Sequence, residues 1–415
     1  MAGLDLSAAG NVLKTFYLPP IRKMLNNSTV LLSKLDKDSS TQDVDGTSFT
    51  VPIHYGRNLS AGKGVAESAA LPAAGSQKYS KAVVPNKYVY ATIEVSGPVV
   101  KATRTNAGAF IRAIDSELKG AMQDMKKAVN RQFHGDGADK LGVWTTGDDT
   151  SGTTIDDGDG YVATHLPVGQ AITCDLIDTN DDDVRGDSIV VTLGDESATG
   201  FAVTWTGSVS GSADGDYLVL EDSLGYQMMG IAGIIDDGDP VIPAGGGTRT
   251  GLHGIAAATN SWWKSQVVGA DDSKQDLSFV NMQRVLSKIA INSNYDEKDV
   301  KFLLTSYQVR DKYYELAVNE RRFVNTMTLD GGFEGLDFNG KALVPDSQCK
   351  LGRIYFIVPE TLKIFRTSDF DWMDRDGAVL SRKEGYDVYQ ATLFHYGDLG
   401  CVARNGNGVL KGINV

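Results

Sequence analysis

The densest chemistry in this sequence of 415 residues is carboxylate. Between Gly147 and Pro240 stand twenty Asp and Glu and one base, Arg185, against 39 bases and 33 acids in the rest of the chain. The block therefore carries −19 of the formal charge and the remainder +6, for a net −13. Runs such as Asp156-Asp157-Gly158-Asp159-Gly160, Asp181-Asp182-Asp183 and Asp236-Asp237-Gly238-Asp239 offer oxygen ligands for a hard cation. A calcium loop of the EF-hand type needs Gly at its sixth position and Glu at its twelfth. No frame here has both, so these runs read as solvated acidic turns. Gly62-Lys63 resembles part of a phosphate-binding loop, but Gly56 is one residue too distant and Gly64 stands where the metal-binding hydroxyl belongs. His54, His134, His165, His253 and His395 are isolated, with no second ligand at helical or hairpin spacing. Cys174, Cys349 and Cys401 are too scattered for a zinc site or a disulfide framework and read as buried reduced thiols. There is no Gly-x-Ser-x-Gly elbow and no dinucleotide fingerprint. The expectation is a protein without catalytic residues, metal or cofactor, and not an enzyme.

The second charged feature is basic. Residues 46–105 hold Arg57, Lys63, Lys78, Lys81, Lys87, Lys101 and Arg104 against Glu67 and Glu94. That stripe could touch phosphate. No aromatic precedes Tyr79 in the loop to stack a base, and the sequence pI near 4.9 gives no overall basic footprint. An acidic surface on a neighbouring copy suits the stripe equally well.

These groups must be positioned by elements that the sequence marks clearly. Residues 48–56 and 87–96 both alternate apolar and polar, the pattern of strands, and are expected to pair as a long ribbon. The Gly, Ala, Ser and Lys residues between them cannot build a core. Residues 106–133 are the clearest helix, with Phe110, Ile114, Leu118 and Met125 stepping by threes and fours along its core face. The acidic block reads all-β, a small barrel or sandwich. Beyond residue 275 the pattern predicts a helix over Leu277–Ile291 with Val280, Val285, Leu286 and Ile289 inward. A strand follows at Lys301–Leu304, then a helix opened by a Thr305–Gln308 capping pair. Strands are expected at Ala342–Val344, Arg353–Val358, Leu362–Phe365, Gln390–Tyr396 and Leu399–Val402. The first 47 residues lack a core pattern, and Phe16 and Tyr17, just before Leu18-Pro19-Pro20, need a cover that another subunit could supply. No signal peptide and no window of about 18 apolar residues is present, so no membrane is expected.

This order of parts resembles the major capsid proteins of tailed double-stranded DNA bacteriophages, the family with the HK97-like fold. Leu336-Asp337-Phe338-Asn339-Gly340-Lys341-Ala342-Leu343-Val344-Pro345 is similar to that family's "small-Gly-x-x-Val-Pro" strand. Gly352–Ile357 and Leu362–Phe365 resemble the strand and turn after it. The resemblance covers about 330 of the 415 residues and leaves out the acidic block. It implies an α+β, HK97-like fold: an N-terminal arm (1–46), an extended loop (47–100), a peripheral domain with the spine helix (101–146), an inserted acidic β domain (147–228), a connection back to the body (229–275), an axial domain (276–358), further peripheral strands (359–398) and a C-terminal axial strand (399–415). It implies a structural protein that self-assembles into hexamers and pentamers of an icosahedral shell around packaged DNA, near that DNA without reading it. The expected location is the virion capsid, after folding and assembly in the host cytoplasm. A portal and decoration or cement proteins are implied partners. A chain beginning at Met1 without a removable scaffolding segment implies a separate scaffolding protein. Arg57, Lys63, Lys78, Lys81, Lys87, Phe16 and Tyr17 become the candidates for contact between subunits. The Asp- and Gly-rich block also admits a second reading, a secreted cation-dependent surface-layer or adhesin protein, although no secretion signal or repeat accompanies it.

Overall fold

The computed structural model describes residues 29–38, 44–45, 48–98, 107–138, 140–144, 154–156, 166, 168–178, 183–197, 200–240, 251–271, 273–319, 326–328, 334–374 and 379–415. Within them the strands form a ribbon sheet of three strands, a five-stranded sheet, a closed six-stranded barrel and a seven-stranded mixed sheet. The long helix spans Ala107–His134, 28 residues and so about 42 Å at 1.5 Å per residue.

The ribbon corrects the sequence reading. Ser48–Gly56 is a strand, but its partner is Lys78–Pro85, with Phe49 opposite Val84 and Val51 opposite Ala82. Lys87–Ser96 pairs antiparallel with Val388–Cys401, from Lys87 opposite Gly397 to Ser96 opposite Val388. Asn86 alone separates the two strands, and the first ends at Pro85 because proline cannot donate to a ladder. The pairing of 48–56 with 87–96 is therefore overturned. Phe49, Val51, Ile53, Ala82 and Val84 form one face of the ribbon and enter the main core beside Leu252, Ile255, Trp263, Phe365 and Leu399.

The seven-stranded sheet has two buried faces. Leu303, Leu343, Ile354, Phe356 and Leu410 meet the helix Phe279–Asn292 through Met282, Val285, Leu286 and Ile289, and the helix Tyr307–Asn319 through Val309 and Tyr313. Phe302, Leu304, Val344, Tyr355, Ile357 and Val409 point the other way, into the main core. Alternation along each strand makes this possible. Val280 is 63% exposed and does not join the core; Met282 takes the inward place. Thr305 ends its strand and its hydroxyl donates to the Arg353 carbonyl, so it does not cap the following helix. The strands expected at 390–396 and 399–402 are one strand, Val388–Cys401.

The barrel closes through the strands Gly142–Trp144, Thr154–Asp156, Ala171–Ile177, Val184–Ser197, Gly200–Thr206 and Tyr217–Leu220. Its core, with Trp144, Ile155, Leu176, Val191, Phe201 and Leu218, is a cluster of its own. The first strand lies upstream of the expected boundary at 147, because charge density marks the acidic turns and not the strand that precedes them. Its lone base, Arg185, pairs with buried Asp178. Buried Asp175 accepts from the Ser188 and Asp222 amides, both at 2.9 Å. It thereby holds Ser188, whose φ is 49°, beside a register shift in the ladder. Asp175 and Asp178 are therefore structural; they lie outside the runs read as solvated turns, of which residues 157–160 and 181–182 fall outside the described residues.

Candidate interaction surface

The proximal half of the ribbon is anchored and its distal half is not. Val83 donates to the His253 carbonyl at 2.8 Å, and Tyr55 stacks on Trp262. Beyond Gly56 the chain makes an open loop to Gln77, held mainly by its own turns. Asn58 donates to the Gly75 carbonyl at 3.1 Å and accepts from the Ser60 amide at 2.9 Å, pinning the two limbs of the loop together. Leu59 and Leu71 are 80% and 84% exposed, with Val65 also in solvent. Arg57, Lys63, Lys78 and Lys81 are exposed along the same segment, with Glu67 the acid among them. Exposed apolar groups flanked by bases, with no core beneath them, form a surface that another molecule could cover.

Lys87 does not belong to that stripe. It is 8% exposed and donates to the Gly225 carbonyl at 2.7 Å, tying the sheet to the segment that leaves the barrel. Phe16, Tyr17, Lys101 and Arg104 lie outside the described residues, as do the side chains of Phe110 and Ile114. On the long helix Leu118 is half-buried, and Met125 is buried with Val129 and Phe133. Among the described side chains of the helix, those from Leu118 to Asp124 are at most half-buried, and the buried ones lie between Met125 and His134.

A second exposed surface was not read from the sequence. The open face of the five-stranded sheet carries Tyr88 and Tyr90 from Lys87–Ser96, and Phe394 and Tyr396 from Val388–Cys401. Tyr88 and Tyr90 meet Tyr396 edge-on at centroid distances of 5.1 and 5.8 Å, and Phe394 lies 4.8 Å from it. Thr92 and Thr392 continue the row, and the ion pair of Lys383 with Glu94, at 2.6 Å, borders it. The signal was present as tyrosines at alternate positions on the polar side of an alternating strand. It passed for a solvated face.

The Asp236–Asp239 run, read as a solvated turn, is a clamp. Arg404, wholly buried, donates to the carbonyls of Gly233, Ile234, Gly238 and Trp263. Asp236 binds Lys411 at 2.6 Å, and Asp239 accepts from the Ala257 amide at 2.8 Å. Burial raises the Asp236 carboxyl, but the Lys411 hydrogen bond and charge outweigh it and hold that carboxyl below the ordinary range. Burial also pushes up the thiols of Cys349 and Cys401, the latter to about 12, which leaves both unreactive. Among the described residues no group of three or more His, Cys, Asp or Glu is placed to hold a metal ion. No described helix is long and apolar enough to cross a membrane.

No protein-family model matches the sequence, and no curated protein matches it. Among solved structures, the chain is similar to the capsid asymmetric unit of cyanophage A-1(L). The identity is 13%, the match covers 97% of this chain and 98% of that one, and the TM-score is 0.59. It also aligns with the capsid of an empty GTA particle at 12% identity, covering 100% of both chains with a TM-score of 0.49. The SrpI encapsulin of Synechococcus elongatus PCC 7942 aligns at 9% identity, over 100% of this chain and 97% of that one, with a TM-score of 0.46. At these identities the likeness is one of fold.

Proposed function

We propose that this chain, which has the HK97-like fold, is the major capsid protein of a tailed bacteriophage, a structural subunit that closes with its own copies into an icosahedral shell. The observation that carries the reading is the end-to-end correspondence with the A-1(L) capsid chain, 97% of one and 98% of the other. A match to a single shared domain would cover only part of one chain or the other; this one spans nearly all of both. The exposed loop supports it independently. The loop beyond the ribbon leaves Leu59, Val65 and Leu71 in solvent with no core of its own, and a neighbouring copy would cover it.

On this reading the copies form hexamers and pentamers, and Arg57, Lys63, Lys78 and Lys81 of one copy meet a neighbour. The aromatic row of Tyr88, Tyr90, Phe394 and Tyr396 is a further contact surface, the acidic barrel faces outward, and a scaffolding protein and a portal take part in assembly in the host cytoplasm. The barrel's charge would be repelled by packaged DNA, which favours the outer face. The surface-layer alternative gains no support from the fold. Negative-stain microscopy of the purified chain, with and without calcium, tests the reading. Closed shells or ring-shaped capsomers are expected. Planar calcium-dependent sheets would favour the alternative, and small uniform particles under all conditions, scaffold included, would overturn the proposal.

A further inference from the structure

Three Asn-Gly steps stand in the sequence, at 339–340, 405–406 and 407–408. In such a step the glycine amide nitrogen can attack the side-chain carbonyl carbon of the asparagine, because glycine has no β-carbon to hinder the approach. The fold decides whether it does. The asparagine side chain must be free to turn, the glycine must be uncrowded, and the peptide plane between them must be able to bring the nitrogen to Cγ.

At the two C-terminal steps the fold denies this. Asn405 Nδ2 donates to the Asn292 carbonyl at 3.1 Å, and the Gly406 amide donates to the Ala403 carbonyl at 3.2 Å. The Tyr295 ring stands so close that a Cβ on Gly406 would lie 2.7 Å from it. Asn407 is wholly buried; its Oδ1 accepts the Val358 amide at 3.0 Å and its Nδ2 donates to Thr361 Oγ1 at 2.7 Å. Gly408 begins the strand Gly408–Leu410 inside the seven-stranded sheet, against Val285.

The step at 339–340 is built otherwise. Asn339 and Gly340 by themselves join the strands Glu334–Phe338 and Lys341–Pro345, with Phe338 opposite Lys341. Their φ values are both positive, 53° and 75°, which makes the connection a type I′ turn. Both residues are exposed, and nothing lies within 4 Å of the place a Gly340 Cβ would occupy. Asn339 Nδ2 reaches Gln283 Oε1 only at 3.5 Å, the limit of a hydrogen bond.

The turn type bears on the chemistry. In the I′ turn the plane of the Asn339–Gly340 peptide points the Gly340 nitrogen away from Cγ. Flipping that one plane converts I′ into II′, which also joins paired strands through two residues, so the strands need not move. In II′ the first residue keeps its positive φ and takes ψ near about −120°, which brings the following nitrogen round to the side-chain carbon. The flipped state is rare, since that backbone region favours glycine. It also forfeits the bond from Lys341 Nζ to the Asn339 carbonyl, 3.3 Å long. A rare state suffices, because the ring closure that draws on it is not reversed once ammonia has left.

We propose that Asn339 is a site of spontaneous covalent modification, selected by the fold from three identical dipeptides. The Gly340 nitrogen loses its proton and bonds to Asn339 Cγ; the Cγ–Nδ2 bond breaks, and Nδ2 departs as ammonia. Water then opens the five-membered imide at one of its two carbonyls. Opening at Cγ leaves aspartate, and opening at the backbone carbonyl leaves isoaspartate, whose side-chain carbon now lies in the main chain. Overall one water is taken up and one ammonia released. The products differ in consequence. Aspartate tolerates positive φ and keeps the turn. Isoaspartate lengthens a two-residue turn by one backbone atom, which disturbs the register at Phe338. That ring lies parallel to Phe279 at 6.0 Å and edge-on to Tyr313, whose hydroxyl donates to the Asp337 carbonyl at 2.7 Å. The site is a property of the single chain and does not depend on the proposed shell.

The test is to age the full chain at mildly alkaline pH, folded or unfolded in guanidinium, then digest it and map the peptides by chromatography and mass spectrometry. The folded chain should lose the amide of Asn339 and keep those of Asn405 and Asn407, with both acids formed at 339. The unfolded chain should lose all three. A folded chain that keeps the Asn339 amide while the unfolded chain loses it overturns the proposal. Equal loss at all three positions in the folded chain overturns selection by the fold, and aspartate without isoaspartate overturns the imide route. Aged protein enriched in isoaspartate should also melt below Asn339→Asp; equal midpoints would remove the disturbance at Phe338 from the account.

Discussion

Tyr55 lies flat on Trp262, ring centroids 4.4 Å apart and planes 10° from parallel, where the ribbon stops being covered by the body. The pair marks the point at which an anchored strand becomes a free loop. Tyr55→Ala should cost about 0.5–1.5 kcal/mol, the worth of an aromatic pair beyond its area. It should speed amide exchange in Ile53–Arg57 while leaving the helices of the seven-stranded sheet unaffected. Unchanged exchange in that stretch would show that the ribbon is held by its other contacts alone.

Charge reversal of the loop should separate folding from assembly. Lys63, Lys78 and Lys81 are exposed and support no core, so changing all three to Glu should leave the unfolding midpoint of the single chain within about 0.5 kcal/mol of wild type. Shell closure followed by light scattering should be blocked or greatly slowed at low salt and partly restored at high salt, where the new repulsions are screened. Wild-type kinetics at low salt would mean that these lysines face solvent in the assembled state.

The long helix should respond unevenly to truncation. Phe133 is fully buried in the main core, and Phe133→Ala should cost about 3–5 kcal/mol. Leu118 is half-buried, and Leu118→Ala should cost about 1 kcal/mol. Urea denaturation of the two variants decides the matter; equal losses would mean that Leu118 is covered in a way the single chain does not show.

The barrel should be removable as a unit. Its first and last strands are neighbours, with Gly142 opposite Leu218 and Val143 opposite Tyr217, so the ingoing and outgoing chains run side by side. Replacing residues 141–220 by a short Gly/Ser linker should leave the body folded. A cut at 147 would strand Gly142–Trp144 without partners. Phe201→Ala should unfold the barrel ahead of the body in a thermal scan, since the two cores are distinct. A single shared transition in both wild type and variant would show that the cores are coupled.

Acid should loosen the C-terminal strand. Burial raises the Asp271 carboxyl, but the hydrogen bonds and charge of Arg353 prevail and hold it below the ordinary carboxylate range. Asp236 is lowered in the same direction by Lys411. A depressed carboxyl contributes stability above its unfolded value, near pH 4, and loses that contribution as pH falls through the folded value. Urea midpoints measured from about pH 6 down to about pH 3 should fall in the wild type and fall less in Asp271→Asn. Parallel curves would remove Asp271 from the account.

Much of this fold was legible because its elements have clean periods. Residues 48–56, 87–96 and 107–134 announce strand, strand and helix. Pairing was not legible, since alternation tells which face a strand buries and not which strand lies beside it. Lys78–Pro85 escaped notice because only Ala82 and Val84 point inward from it, too little apolar mass to register. The buried polar end of the long helix escaped for the opposite reason: Asn130, Gln132 and His134 look like solvent-facing residues of an amphipathic helix. The arm, the 346–348 loop and the 228–230 segment, all distant in sequence, cover them. Of the candidate contact residues, those in the coreless loop could be found by the absence of a core. The tyrosine row could not, because aromatics on a sheet face look the same covered or bare.

A closed barrel has no free strand edge, and this one carries its surplus charge in a single sign. On the outside of a closed particle such barrels would form a polyanionic fringe. Two particles approaching would repel once the fringes came within a screening length, about 10 Å at 0.1 M salt. Where they did touch, there would be no open ladder on which a neighbour's strand could add. The insertion would then work as a colloid stabiliser, keeping crowded particles dispersed without assigning any residue of the body to the task.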